Sequence, residues 1–482
     1  MDRPLPAPPW WATEKWRAFG AIGTSFVVIV LSTTMSFVLL PAIAEDFDVT
    51  LGAVGWVVIV ESLIIAAMLL PMGGVADGLG RRRVLVAGLA VFGAGSVLTG
   101  AAPAFGLLIA ARIVMSIGNA MVQSVGTGLV VASFPPGERG VALGAQTTAV
   151  AVGAAMGPLL GGFALEVTSW RSLFLFMAVP TALSVVAALA YLPNDVDVQS
   201  PAGSVDVRGG VLSALAVVAL VVTISNPFGV AWLSLATLAG AVVFVGLIWW
   251  FIRWELAHAS PMLQLRLFVL QTFRSAVLVR FVGFTASTLV VLLFPVYLLS
   301  VRGLTSGLVG VILSLTALGL GLSAQLSGRL YDAIGPRIPT LVGLVIQGVM
   351  MLVLLGATRG TSPWLLAGLA FAIGVGQSMW NVPNNAAMMG STSADSLGVV
   401  GAFTNVTRTM GNVIGQALGA AVVAGVMVAD GFDIPLGDLP DVVGAADSFL
   451  GGWRVAFVIG VALLGATAVI AVGLPTGAPE RR

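Results

Sequence analysis

Runs of about 20 mostly apolar residues, the length a helix needs to cross the hydrocarbon of a bilayer, recur along the whole chain. In the first half they lie near 19–41, 51–71, 84–102, 106–132, 142–165, 173–192, 209–225 and 229–252. In the second half they lie near 276–299, 305–327, 338–357, 363–389, 398–429 and 452–474. The breaks hold charged or turn-forming residues, as at Glu45-Asp46, Ala102-Pro103, Pro135-Pro136-Gly137 and Asn226-Pro227. The runs are continuous and do not alternate with a period of two. The pattern therefore predicts about fourteen transmembrane helices and not the strands of a barrel.

Composition narrows the class. Hydrophobic residues make up 58% of the 482 and charged residues 9%, where about 25% charged is usual for soluble proteins. A soluble enzyme could not cover its surface with so few charges, and a disordered chain would be more polar. The net charge of +1 comes with no long basic run, so there is no footprint for nucleic acid. Without cysteine there is no disulfide scaffold, iron–sulfur ligation or thiol catalysis, and the single histidine, His258, argues against a histidine-bound metal. Lys15 is the sole lysine, so the chain cannot supply a Walker-type phosphate loop and direct ATP drive is excluded. Tyr331-Asp332 resembles half of a membrane aspartyl protease site, but the partner Gly-x-Gly-Asp is absent. A serine–histidine protease would need His258, which falls in a loop. An enzyme is not expected.

Arginine placement orients the spans. With an even number of spans and the N-terminus inside, Arg3, Lys15, Arg17, Arg81, Arg82, Arg83, Arg139, Arg208, Arg253, Arg266, Arg274, Arg329, Arg337, Arg481 and Arg482 are cytoplasmic. Arg171, Arg302, Arg359 and Arg454 fall outside, and this bias places both termini in the cytoplasm. Residues 1–17 read as a cytoplasmic tail with no secretory cleavage site, 18–192 as a six-helix bundle, and 193–259 as a linker with two additional spans. A second six-helix bundle follows at 260–475, with a short cytoplasmic tail at 476–482.

An internal repeat supports that division. Gly73-x3-Asp77-x2-Gly80-x-Arg82 follows span 2, with Arg81 and Arg83 beside it, and Gly328-x3-Asp332-x2-Gly335-x-Arg337 follows span 10. Two parallel bundles with spans 7 and 8 inserted between them produce this spacing. The first copy resembles the signature loop of the major facilitator superfamily. Span 5 resembles the antiporter motif of that family's exporters, with Gly144, Gly153, Gly157, Pro158, Gly161 and Gly162 at the matching spacing. Span 4 is similar to a third family motif in Leu108-Ile109-Ala110-Ala111-Arg112, continued by Phe134-Pro135 and Arg139-Gly140. With Ser169-Trp170-Arg171 before span 6, the likeness is to the fourteen-span drug:proton antiporter branch. It implies an all-α fold of two six-helix bundles plus two inserted helices, in a bacterial cytoplasmic (inner) membrane. It also implies a proton-coupled exporter of amphipathic small molecules, needing no cofactor beyond the proton gradient. Its partners would be membrane lipids, protons and an amphipathic or lipid-like substrate, and the chain would act as a monomer. A lipid or natural-product exporter, an uncoupled facilitator and a transporter-like sensor remain open.

The motif residues carry readable chemistry. Asp77 ends span 2 beside helix N-termini of the same membrane face, where a carboxylate is favoured by about 0.3–1 kcal/mol. Together with Gly73, Gly80, Arg81, Arg82 and the second copy (Gly328, Asp332, Arg337) it forms a candidate latch between bundles. Gly153, Gly157 and Gly161 recur every four residues and line one helix face, permitting close approach of a neighbour. Gly144 is about half a turn off that face, and Pro158 should bend the helix.

Charges within spans face a bundle interior or an aqueous cavity and mark function by default. Glu61 is the one carboxylate well inside a span; Arg112, Arg280 and Arg408 are the cations. The family's span-1 acid is replaced by Ser32, followed by Thr33 and Ser36, and its asparagine by Phe37. Glu61 is therefore the expected proton carrier, with Arg112 as the partner that must loosen for it to cycle. Candidate cavity residues are Ser32, Thr33, Ser36, Asn119, Gln123, Arg280, Gln377, Trp380, Asn381, Asn384, Asn405 and Arg408. Gln377, Asn381 and Asn384 share one face of span 12, as do Ser116, Asn119 and Gln123 on span 4. With one interior acid, neutral or anionic amphiphiles are expected on an equal footing with cationic drugs.

Overall fold

The computed structural model describes residues 14–49, 54, 56–193, 206–225, 234–257, 265–391, 397–432, 439 and 442–477. The tail before Glu14, Asp195 and Asp197 of the linker, the Asn226-Pro227 break, His258, Arg481 and Arg482 lie outside them. The described chain is built from long helices: α1 (Glu14–Asp46), α2 (Trp56–Leu79), α3 (Arg81–Gly100), α4 (Phe105–Ala132), α5 (Arg139–Val167), α6 (Trp170–Tyr191) and α7 (Val207–Ser225). They continue with α8 (Leu235–Ala257), α9 (Gln271–Val296), α10 (Ser306–Ile334), α11 (Arg337–Leu355), α12 (Pro363–Gly390), α13 (Leu397–Ala429) and α14 (Ala445–Ala471).

Among the described residues thirteen helices are long and apolar enough to cross a membrane, and a fourteenth, α7, is apolar only over the shorter stretch Arg208–Thr223. Of the expected fourteen spans, thirteen are thus found among the described residues. Several helices outrun their apolar runs. Helix α2 continues to Leu79 through the Gly73–Asp77 segment, and α10 continues to Ile334. Hydropathy marks only the part in hydrocarbon, whereas backbone hydrogen bonding carries the helix into the headgroup region.

Packing repeats with the sequence. Helix α1 packs on α5 and α6, α3 on α4 and α6, and α2 on α4. Eight helices later the same pairs recur: α9 on α13 and α14, α11 on α12 and α14, and α10 on α12. The two six-helix bundles meet where α2 packs on α13 and α5 on α10, contacts that exchange under the same pseudo-two-fold. The inserted α7–α8 hairpin lies over the α2–α13 seam. Leu212 of α7 and Phe251 of α8 join Ile65, Leu69 and Leu70 of α2 and Val399 and Val406 of α13 in one apolar cluster. Asp206 holds the hairpin's end, accepting from Gly209 N–H (2.8 Å) and Trp254 Nε1–H (3.0 Å).

Two glycine sets let this packing happen. In each repeat copy the second glycine turns the chain between helices: Gly80 has φ 101° and Gly335 φ 82°, a region closed to residues with a Cβ. On α5, Gly153 and Gly157 lie against the α1 backbone, and Gly161 against Met35 and Val38. Gly144 points instead at Ala324 of α10, as its half-turn offset predicts, and Gly140 lies backbone to backbone with Gly328.

Positions along this one face of α5 differ in tolerance, which is measurable. A methyl at Gly157 would collide with Thr34 and stand 2.8 Å from Met35 N, whereas one at Gly161 would meet Met35 Cγ at 3.1 Å. Gly157→Ala should cost about 1–3 kcal/mol by overpacking, read as a fall in Tm in non-ionic detergent. Gly161→Ala should fall by clearly less; equal losses at both positions would show that α1 is not held by this contact.

Candidate functional site

At the end of the bundles carrying the N-terminus of α1, two aspartates cross the interface. Asp77, near the end of α2, uses Oδ1 to accept from Arg81 Nε (3.1 Å) and Nη2 (2.9 Å). Its Oδ2 accepts from the backbone N–H of Val399 (3.0 Å) in the first turn of α13. Asp332, near the end of α10, accepts from Gly140 N–H (2.9 Å) and Val141 N–H (3.0 Å) in the first turn of α5. Each carboxylate caps the opposite bundle's helix, satisfying donors that the helix leaves open and meeting the positive end of its dipole. Thr148 adds a hydrogen bond to Gly321 O (2.9 Å) across the same seam. Of the remaining motif residues, Gly73 is buried in α2, Arg337 is half-buried at the start of α11, and Arg82 donates to Leu189 O (2.6 Å) of its own bundle.

Deeper in the first bundle, Glu61 and Arg112 form a buried ion pair. Thr33 donates to Glu61 Oε1 (2.6 Å), and Asn119 Nδ2 approaches the same oxygen at 3.5 Å. Arg112 lies over the Phe174 ring, 5.4 Å from its centroid. Helix α4 organises the site, because Arg112, Ser116, Asn119 and Gln123 fall on one face at i, i+4, i+7 and i+11. Gln123 Nε2 donates to Asn119 Oδ1 (2.8 Å), and Gln123 Oε1 accepts from Arg408 Nη2 of α13 (3.0 Å). The result is a relay of two side-chain amides. It runs from the Glu61 carboxylate, through Asn119 and Gln123, to a guanidinium in the other bundle. Asn405 reinforces the crossing by donating to Gln123 O (3.1 Å).

The second bundle holds its cations on neutral acceptors. Arg280, buried in α9, donates to Thr404 O (2.7 Å) and Asn381 Oδ1 (2.7 Å) and lies over Phe284. These acceptors and the ring hold Arg280 within the bundle. Arg408, half-buried, also bonds Asn405 Oδ1 (3.3 Å).

The other candidates divide. Ser32 and Ser36 are buried within α1 packing, with Ser36 donating to Ser32 O (2.8 Å). Asn384 bridges to Ala276 O of α9 (2.9 Å), and Gln377 is half-buried one turn before Asn381. Trp380 is fully buried, its ring edge-on to Phe284 and its Nε1 donating to Gln347 Oε1 (2.8 Å). Gln347, which in turn donates to Ser287 (2.8 Å), is a network residue that the sequence reading passed over. Its signal was a lone glutamine in the apolar run of α11. Thr148, the seam residue, had no such signal.

The paired caps have a measurable consequence. Asp77→Asn or Asp332→Asn should cost this closed end about 1 kcal/mol, shifting the balance toward conformations open at this end by about fivefold. Spin-label distances between the end of α2 and the start of α13 should lengthen; unchanged distributions in both variants would refute the clamp.

Comparison with known proteins agrees with this architecture. The Major Facilitator Superfamily profile matches residues 22–416, and again 276–482. Multidrug resistance protein Stp of Mycobacterium tuberculosis is 29% identical over 412 residues, spanning 84% of this chain and 75% of that protein. Multidrug efflux pump LfrA of Mycolicibacterium smegmatis is 29% identical over 452 residues, spanning 91% and 87%. The crystal structure of the human organic anion transporter MFSD10 superposes with a TM-score of 0.66 at 17% identity, covering 95% of this chain and 100% of that one. At that identity it shows the fold alone. The chain is a multi-pass membrane protein with bacterial relatives, and it belongs to the Major Facilitator Superfamily, a family of transporters and not of enzymes.

Proposed function

We propose that this chain is a secondary active exporter of amphipathic small molecules, driven by proton antiport through alternating access. It would act in a bacterial cytoplasmic membrane with both termini inside, as the arginine bias of its loops indicates. The multidrug efflux relatives support the direction and the breadth of substrate. The observation that carries the reading is the buried Glu61–Arg112 pair joined to Arg408 of the opposite bundle by the Asn119–Gln123 relay.

The relay supplies a physical route for coupling. Glu61 and Arg112 sit on α2 and α4 of one bundle, so a rigid rocking motion leaves them together. The Gln123–Arg408 bond spans the two bundles and must break when they separate at this depth. Losing Arg408 reorients the Gln123 amide, and through it the Asn119 amide that approaches Glu61. In this reading the clamp, closed at the end that carries the α1 N-terminus, belongs to the outward-facing side of the cycle, where protons arrive from the exterior. No cofactor takes part; the proton gradient is the energy source.

A second reading, an uncoupled facilitator, is favoured by one observation: Glu61 is held by Arg112 and Thr33 together, and the span-1 acid expected of the branch is Ser32. One experiment separates the two. Glu61→Gln, reconstituted in proteoliposomes, should lose at least tenfold of pH-driven export while downhill exchange of the same substrate survives. Undiminished pH-driven export by Glu61→Gln would remove Glu61 as the proton carrier.

A further inference from the structure

We infer that Arg280 and Arg408 form a recognition site for a single acidic group on the transported amphiphile, a carboxylate, sulfonate or phosphate carried on an apolar body. The proposal deepens the exporter reading and rests on it only in treating the bound molecule as cargo.

Charge arithmetic comes first. Glu61 is committed to Arg112 within the first bundle. From Gln271 to Ala471 the second bundle contains no glutamate, and its aspartates all lie near helix ends or in loops. Among the described residues neither Arg280 nor Arg408 makes an ion pair; their hydrogen-bond partners are Thr404 O, Asn381, Gln123 and Asn405, all uncharged. Two guanidiniums, one bonded to Thr404 O and the other belonging to residue 408 of the same helix, therefore stand inside the bundle without a charged partner among the described residues. Arg remains protonated at such sites, and like charges repel. Buried charges are ordinarily paired, so an anion is the missing partner.

Geometry points the same way. Arg280 spends Nε and Nη1 on fixed acceptors, which locks its plane, and it carries a further Nη2. Arg408 spends Nη2 and retains Nε and Nη1, and it is only half-buried. Asn381, which accepts from Arg280, and Gln377 one turn before it are both half-buried on one face of α12. Remaining donors from two rigid forks suit the several oxygens of a carboxylate, sulfonate or phosphate.

The ligand's acid could belong to a small molecule or to a bilayer lipid, and the test has an arm for each. Purified full-length protein in non-ionic detergent is titrated separately with naphthalene-2-sulfonate, with the similar-sized cation N-methylquinolinium, and with phosphatidylglycerol in mixed micelles, reading Tm. The sulfonate or the lipid should stabilise wild type at a concentration at least tenfold below that of the quinolinium, and whichever does identifies the source. Arg280→Gln and Arg408→Gln should each weaken that stabilisation at least tenfold, with Arg408→Lys losing less. Equal or stronger stabilisation by the cation would overturn the proposal, as would anion binding unchanged in both Gln variants. If a Gln variant does not fold, the wild-type ranking and Arg408→Lys still decide. Because no gradient is used, loss of proton-driven transport leaves this result standing, and absence of anion binding leaves proton coupling untouched.

Discussion

Hydrocarbon offers no hydrogen bonds, so every polar group that enters the membrane must find its partner within the protein. This constraint decides where each charge of this chain resides. Glu61 and Arg112 neutralise each other across α2 and α4, with Thr33 donating to the acid. Arg280 and Arg408 draw on carbonyl and amide oxygens of α12, α13 and α4. Trp380 and Gln347 close a smaller circuit with Ser287. A chain with 9% charged residues can afford few such groups, and those it keeps converge on the interior of the bundles.

The same constraint shapes the joint between bundles. Apolar helices gain little by associating in lipid, so close contact must come from small residues and polar ties. At the α5–α10 seam Gly140 and Gly328 bring backbones together, and Asp332 caps the α5 N-terminus. At the α2–α13 seam Asp77 caps α13, and the α7–α8 hairpin covers the line of contact with apolar side chains. These ties are individually modest, a few hydrogen bonds each worth about 0.5–1.5 kcal/mol net. Such a clamp suits an interface that has to open and close on each turnover.

Within this frame the relay through Asn119 and Gln123 has a distinct place. The caps report whether one end of the transporter is closed, whereas the relay touches both the interior acid and the opposite bundle. In the proposed cycle it is the element through which bundle separation reaches Glu61. Its position follows from α4, whose polar stripe begins at Arg112 and ends where α13 crosses.

Much of this was legible in the chain itself. Apolar length marked the helices, thirteen of which are long and apolar enough to span among the described residues. The duplicated Gly-x-x-x-Asp-x-x-Gly-x-Arg revealed the two bundles, and its second glycine marked turns with positive φ. The four-residue spacing of Gly153, Gly157 and Gly161 identified a packing face, and the offset of Gly144 assigned it elsewhere, since helical periodicity is local geometry. Periodicity cannot say which helix arrives at a face. Only the tertiary structure decided that Asp77 meets α13 and Asp332 meets α5, and that Arg280 turns inward onto Thr404 and Asn381. It likewise decided that Trp380 packs on Phe284 while Gln123 reaches Arg408. Those pairings span from 96 residues of sequence, for Trp380 and Phe284, to 322, for Asp77 and Val399. They depend on the rotation and depth of each helix against its neighbours, quantities set by packing of the assembled bundles and by no local pattern.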